Sequence, residues 1–544
     1  MRILWLDINA SYSHSSLAIP ALHAQLSQPV EQRHNWRVTS GTINRELMHY
    51  LSEISEFSPD IIFSTVWLFN HNCVMSVLER AKAMFPKVRI ILGGPEFLGD
   101  NSEFLNKNNF TEALFRGEGE DIYPEFIETI EHERNYINIP GFCYIDDSGS
   151  YIDNGVAIVD NISKLKSPQN SLLFDWSKPF VQIETSRGCF NKCSFCISGD
   201  DRKVDNIPVE SIAVSLDNVL AHNIKEVRIL DRTFNANGKR AAELLNLFKK
   251  YSPNIQFHLE VHPSLLDERV KEMLRDLPHG LLHIEAGVQS LDNNVLRSCN
   301  RFGGSRETVE GLRLLTSLDK YEVHCDLIAA LPHYTYKGIL KDTMELIELS
   351  PGEIQLEVLK LIPGTEMMKN ASVFNIKYSP SPPYEALETP WISFYELKLS
   401  SLLSKILDTY YNSVVWRGCF RSVLLENRDF LEHFILYYSE NTPEKSINNE
   451  SRGMYLYNYA KLHCHNALIH IIICWMENGL SLRTGPGLLS KQWRFGDNLH
   501  NPLLDLEDTN RWYRYVEYGS KRYWFKYNKN SNSYKSISNF IEIL

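Results

Sequence analysis

The chain has 544 residues, too many for one ordinary domain, so two or three are expected. Its 43% hydrophobic and 23% charged residues exclude a disordered polypeptide, and its net charge of −11 argues against non-specific nucleic-acid binding, which needs clustered Lys and Arg. Ten cysteines without regular pairing fit a reducing compartment better than a disulfide scaffold. The N-terminus, Met1-Arg-Ile-Leu-Trp-Leu-Asp7, lacks the long apolar stretch of a signal peptide. The most apolar C-terminal run, residues 467–475, is too short to cross a bilayer, contains His470 and reads as a buried helix. A cytoplasmic protein with no membrane partner is expected, and the charge disfavours a nucleic-acid partner without excluding a small RNA site.

Residues 1–135 alternate short apolar runs with helical patterns. Runs at 3–6, 38–43, 61–66 and 88–92, with a short fifth at 113–115, predict buried parallel strands. Segments 17–26, 45–57 and 73–85 carry apolar residues at helical spacing. This order predicts a doubly wound, Rossmann-like parallel sheet with its ligand site at the carboxyl ends of the strands. Three loops fall there: Ser64-Thr65-Val66-Trp67, Gly93-Gly94-Pro95-Glu96-Phe97 and Gly117-Glu118-Gly119-Glu120. Glycine lets backbone approach a ligand closely. His14, in the polar loop after the first strand, reads as a satisfied loop histidine ahead of a ligand contact.

A linker over 136–174 leads to a second alternating series at 175–375. Strands at 181–184, 226–231, 256–261, 282–287, 323–331 and 354–361, with helices at 209–221, 241–251 and 265–277, predict a partial (β/α)6 TIM-like barrel. The loop after its first strand reads Glu184-Thr-Ser-Arg187-Gly188-Cys189-Phe-Asn-Lys-Cys193-Ser-Phe195-Cys196. Three thiolates at this spacing can hold one 4Fe-4S cube and leave its fourth iron open, because the next cysteine is Cys299. A structural zinc site would want a fourth ligand that the loop lacks.

The Cys-x3-Cys-x2-Cys loop, with Phe195 before the third cysteine and Arg187-Gly188 before the first, resembles the radical S-adenosylmethionine (SAM) enzymes. The resemblance implies that Cys189, Cys193 and Cys196 ligate a 4Fe-4S cluster whose open iron chelates SAM. It further implies SAM contacts from Phe195, Asp231, Glu260, Glu285, Gln289 and Asp326, at or near strand ends. Leu359-Lys-Leu-Ile-Pro-Gly-Thr365 resembles a turn near the adenine. Ala330 stands where relatives carry Gly, and His333-Tyr334 where Gly-Glu is frequent. Buried and unpaired, Glu260, Glu285 and Asp326 would be costly, so each either finds a cation or backbone donor or meets the positive charges of SAM.

The three glycine loops, standing ahead of the cysteine loop, resemble the cobalamin-binding domain of one branch of that family. This implies cobalamin contacts from Ser64, Thr65, Gly93, Gly94, Pro95, Glu96, Gly117, Glu118 and Gly119. The Asp-x-His-x-x-Gly motif of many mutases is absent, so base-off cobalamin without a histidine ligand is implied. The implied function is a methyltransferase that uses a 5′-deoxyadenosyl radical and methylcobalamin to methylate an unactivated carbon. The alternative keeps both cofactors for a non-methylating rearrangement, cyclisation or oxidation. The implied partners are a small-molecule or natural-product substrate and an electron donor such as flavodoxin or ferredoxin. A methylthiotransferase is disfavoured, because residues 1–135 hold only Cys73.

Residues 376–544 open on the Pro-rich hinge Tyr378-Ser-Pro-Ser-Pro-Pro-Tyr384 and read as a mainly helical domain. The hinge and the helix after it resemble an extension of unknown function found on some cobalamin-type relatives. The late aromatics Trp493, Trp512, Tyr513, Tyr515, Tyr523 and Trp524 read as core or lid. No metal is assigned to His463-Cys464-His465, since adjacent residues on a helix point apart.

Overall fold

The structure, a computed structural model, describes residues 1–132, 134–199, 203–427, 429–441, 448–481, 484–486, 494–495, 513–528 and 533–543. The chain divides into two compact units. The first comprises Met1–Val323, Ala330–Thr335 and Val358–Phe394; the second comprises His324–Ala329, Tyr336–Glu357 and Tyr395–Leu544.

The first unit opens with the expected sheet. Strands β1 (Arg2–Asn9), β2 (Asn35–Thr42), β3 (Ile61–Thr65), β4 (Arg89–Gly93) and β5 (Ala113–Phe115) are parallel, in the spatial order β2-β1-β3-β4-β5. Side chains alternate between two apolar faces, as the strand period of two requires. Leu4, Leu6, Ile62, Ile90 and Leu92 pack with helices Leu47–Phe57 and His71–Met84 on one face. Ile3, Trp5, Ile61, Phe63 and Ile91 pack with Tyr123, Phe126 and Ile127 on the other. Burial on both faces explains why the strands read as continuous apolar runs. Strand order reverses between β1 and β3, which opens a crevice at their carboxyl ends.

The sheet does not stop near residue 135. Strands β6 (Phe142–Ile145) and β7 (Tyr151–Asp153) add to it antiparallel, within the stretch expected to be a linker. They are four and three residues long, too short to show alternation. The turn joining them is an Asx turn, with Ser148 N donating to Asp146 Oδ1 at 2.8 Å.

The barrel series begins in the same unit. Parallel β8 (Phe180–Ile183) is followed by a two-stranded ribbon, β9 (Ser186–Arg187) with β10 (Asp205–Asn206). Strands β11 (Glu226–Ile229), β12 (Gln256–Val261) and β13 (Leu282–Gln289) then pair in order beside β8. Helices Val209–Ala221, Gly238–Lys249 and Glu268–Asp276 alternate with them. In β12 and β13, Phe257, Leu259, Ile284 and Ala286 are buried on one face. The opposite face carries His258 beside His283 and Glu260 beside Glu285 in register. One end of these strands therefore presents charge.

The second unit holds nearly all of β14 (Glu322–Ala329), helix Tyr336–Leu349 and β15 (Glu353–Val358), so six strands follow the expected series. Its helices then run Phe394–Ile406, Arg417–Glu426, Phe430–Asn441, Asn449–His463 and Leu468–Glu477. The last buries Ile471, Ile472 and Trp475, as expected for residues 467–475. The helical reading lacks one element, an antiparallel sheet of Arg494–Phe495, Tyr513–Tyr518, Lys521–Asn528 and Ser533–Ile543. Trp524 and Tyr515 are buried there with ring centroids 4.8 Å apart, which makes them core. Trp493 and Trp512 lie outside the described residues. Among the described residues, no helix is long and apolar enough to cross a membrane.

Candidate functional site

The cysteine loop leaves the barrel directly after β8 and the short strand β9. It is a chain of tight turns: Cys196 N donates to Cys193 O at 3.0 Å, and Gly199 N to Cys196 O at 3.1 Å. A Cβ on Gly199 would stand 2.4 Å from Cys193 O, so the loop folds back on itself only with glycine there. Backbone amides point at two of the sulfurs, Asn191 N to Cys189 Sγ and Ser198 N to Cys196 Sγ, each at 3.4 Å. Arg301 Nη1 reaches Cys193 Sγ at 3.7 Å. Burial pushes the Cys193 and Cys196 thiols up, and each thiol feels the charge of its neighbours. Cys299 O and Met367 N hold Ser194 from outside, and Asn191 Oδ1 accepts from Phe302 N at 3.1 Å.

Asp231 anchors the approach to this loop. Its carboxylate, almost wholly buried, accepts four hydrogen bonds from the backbone amides and hydroxyls of Thr185 and Ser186. A SAM ammonium would have to compete with those donors, so this carboxylate instead fixes the entry to the cysteine loop. Two residues beyond Thr185, Arg187 sits among three carboxylates. Its guanidinium bonds Glu184 at 2.8 and 2.7 Å, Glu120 at 2.8 Å, and lies 3.5 Å from Glu118.

At the strand ends, burial raises the Glu260 carboxyl to about 7, with Arg232 opposing the shift and Glu285 adding to it. Glu285 lies 3.0 Å from His258 Nε2, so it is partnered rather than bare. Gln289, in the left-handed region at φ 67°, has a buried Oε1 with no donor among the described contacts. A Cβ on the neighbouring Gly287 would meet both the Gln289 amide and Arg301, which puts that amide on the Cys193 side of the barrel. Burial lowers the His262 pKa to about 3, with the Arg301 charge adding to the shift and the Phe302 backbone opposing it. Asp326 falls in the second unit, 3.3 Å from His324 Nε2. Phe195 is half-buried in the loop.

The three glycine loops and the barrel end line one cavity of about 430 Å³ within the first unit. From the sheet come Ser64, Thr65, Trp67, Gly93, Gly94, Pro95, Gly117, Glu118 and Gly119; from the barrel come Glu184, Arg187, Gly188, Ser198 and Arg232. Its shape depends on glycine. A Cβ on Gly94 (φ 112°) would lie 2.5 Å from Val66 O, and one on Gly117 (φ 97°) 2.1 Å from Ala157 O. The cavity runs down to Trp5, Phe63, Tyr123 and Phe126 on one face of the sheet. There Trp5 Nε1 and Tyr123 Oη are buried and face each other. Glu96 does not line the cavity. It is buried behind the loop, where Tyr384 Oη donates to its Oε1 and His71 Nε2 lies 3.9 Å away. His14 is the expected satisfied histidine, with Nδ1 2.7 Å from Ser11 Oγ and its ring edge-on to Phe180.

Two walls thus face each other across one space, and comparison with known proteins bears on both. Residues 183–347 match the family model of the radical SAM superfamily, and residues 7–127 that of the B12 binding domain. The chain thus joins a radical SAM segment to a B12-binding segment, the pairing of the cobalamin-binding radical SAM family. Residues 372–473 match a family described as a protein of unknown function. An uncharacterized methyltransferase of Pyrococcus horikoshii is 22% identical over 406 residues, which is 71% of this chain and 86% of that protein. The cobalamin-dependent radical SAM methyltransferase TokK of Streptomyces tokunonensis is 20% identical over 330 residues, 57% of this chain. This chain spans only 48% of TokK's length. Among solved structures, the cobalamin-dependent SAM radical enzyme OxsB, with aqua-cobalamin and SAM bound, superposes with a TM-score of 0.61 at 15% identity. That superposition covers 86% of this chain and 78% of OxsB, a likeness of fold.

The residues present fit the groups this family binds. Three thiols on a tightly turned loop, two receiving amide hydrogen bonds, suit a cluster with one open iron. The cavity walled by the glycine loops over an apolar floor of Trp5, Phe63, Tyr123 and Phe126 suits a large ligand such as cobalamin. Glu260 and the orphaned Gln289 amide suit SAM. Arg187 was legible only as part of a motif, and its carboxylate partners lie 67 and 69 residues upstream or three residues before it. Nothing in the sequence marked Arg301.

Proposed function

We propose that this chain is a cobalamin-dependent radical SAM methyltransferase acting on an unactivated carbon of a small-molecule substrate. The observation that carries the reading is the single cavity, lined on one side by the glycine loops and on the other by residues of the cysteine loop and barrel. When bound, the cluster with SAM supplies a carbon-centred radical and cobalamin a transferable methyl group. The chain's own residues position these groups and keep water from the space between them. Cys189, Cys193 and Cys196 hold the cluster; Glu260 and Gln289 hold the cationic end and polar edge of SAM; Gly94 and Gly117 admit the corrin to the backbone. Asp231 holds the loop entry, and Glu96 stiffens the Gly93–Phe97 loop from behind. The proposed core step requires no side-chain acid or base. A flavodoxin or ferredoxin would supply the electron. The methyltransferase name of the Pyrococcus relative, most of whose length this chain spans, supports methyl transfer over the non-methylating alternative.

The test is anaerobic turnover with SAM labelled in its methyl carbon, using candidate substrates drawn from genomic neighbours. Label in the product with formation of 5′-deoxyadenosine is expected. Deoxyadenosine with an unlabelled, altered product would replace methyl transfer by rearrangement, cyclisation or oxidation.

A further inference from the structure

We propose that Arg187 couples the two cofactor sites, so that filling one tightens the other. The inference rests on the function proposed above and adds to it a named positioning residue.

Arg187 is two residues ahead of Cys189, and its backbone is held in the β9–β10 ribbon. Gly188 between them is left-handed at φ 94°, and a Cβ there would stand 2.9 Å from Lys203 O. A shift at Arg187 therefore has little slack before it reaches the first cluster ligand. On its other side the guanidinium grips the Gly117–Glu120 loop through Glu120 at 2.8 Å and Glu118 at 3.5 Å. That loop is itself pinned: Glu118 N donates to Ala157 O, and Glu118 Oε2 accepts from Val159 N, both at 2.9 Å. Gly117, Glu118, Gly119, Glu120, Glu184 and Arg187 all line the 430 Å³ cavity. Glu120, Glu184 and Arg187 also form part of the wall of a neighbouring cavity of about 240 Å³.

One guanidinium thus serves three carboxylates from two parts of the chain, with side chains 10–23% exposed. Remove it, and like charges face each other across the seam. With a corrin bound, the Gly117–Glu120 loop would hold Glu118 and Glu120 more firmly, and through them Arg187. A built cluster fixes Cys189 and works through the same residue in reverse. Such coupling is reciprocal by thermodynamic necessity.

The test is titration of hydroxocobalamin, followed by absorbance, into protein with its cluster reconstituted and into the cluster-free form. Wild type is expected to bind roughly tenfold tighter with the cluster present, a factor typical of coupled sites. In Arg187→Gln the two affinities should converge, and Arg187→Lys, which keeps charge but loses the fork, should fall between. Glu120→Gln cuts only the arm to the sheet loop and should also lower the ratio, which serves if Arg187→Gln fails to fold. A merely structural role would weaken both affinities alike and leave the ratio at its wild-type value. Equal affinities in wild type, or an unchanged ratio in the variants, would overturn the inference. Failure of wild type to bind hydroxocobalamin at all would instead overturn the proposed function.

Discussion

The two walls of the cavity are built from different material. The sheet side is shaped by backbone: Gly94 and Gly117 are left-handed, and their loops close onto Val66 O and Ala157 O because neither carries a Cβ. The barrel side is made by charge: Glu184, Arg187 and Arg232 line it, with Glu260 set against Arg232. The difference matches the ligands each side is proposed to hold. A corrin is large and edged with neutral amides, so it is recognised by shape and by backbone. SAM is small and carries two positive charges, so it is recognised by placed carboxylates and amides. A substitution should therefore damage one wall through sterics and the other through charge, and mostly one at a time.

The largest effect should follow removal of the thiols. Cys189→Ala, Cys193→Ala and Cys196→Ala together should bring iron and sulfide after anaerobic reconstitution to background, while hydroxocobalamin still binds. Unchanged iron would end the cluster assignment. Next is the reverse cut. Gly117→Val places a side chain where a Cβ would already stand 2.1 Å from Ala157 O, at φ 97°. It should cost about 1–3 kcal/mol of stability from backbone strain and lower hydroxocobalamin affinity on the order of a hundredfold. Iron content should persist; its loss would show that the walls are not separable.

A smaller effect sharpens the charged wall. Burial raises Glu260 to about 7, against the pull of Arg232. Because the folded value is raised, its contribution to stability is present below about 4.5 and is lost as pH rises through about 7. The ionised form is the one that attracts SAM, so SAM affinity should rise roughly tenfold between about pH 6 and pH 8. Glu260→Gln should flatten both profiles, as read by thermal unfolding and by equilibrium dialysis of SAM. The smallest effect tests the support behind the glycine wall. Tyr384→Phe removes the donor to buried Glu96 and should cost about 1 kcal/mol in unfolding, with a severalfold loss of hydroxocobalamin affinity and unchanged iron.

Some of this was legible from local pattern. Cysteines at positions 189, 193 and 196 declare themselves because a cluster needs its ligands on one loop. Gly93-Gly94 and Gly117-Glu-Gly119 declare themselves because strand ends with glycine admit ligands. Apolar runs marked the parallel strands, while β6 and β7 were too short to mark themselves. Carboxylates were harder. Asp231 looked like a ligand contact by its place at a strand end, yet Thr185 and Ser186 fill its oxygens. Glu96 belonged to the right loop, but its side chain turns away from the cavity to Tyr384.

By itself, then, the sequence determined which chemistries were possible: a three-thiol loop after one strand, glycine loops after three others, and two alternating α/β series to carry them. All are short-range properties, set by spacing and by which residues tolerate a given φ. Only the tertiary structure decided that Arg187 should meet Glu118 and Glu120, that Gln289 should keep an unpaired polar atom, and that both walls should face one space. Those outcomes depend on contacts between residues far apart in the chain, and no local pattern encodes them.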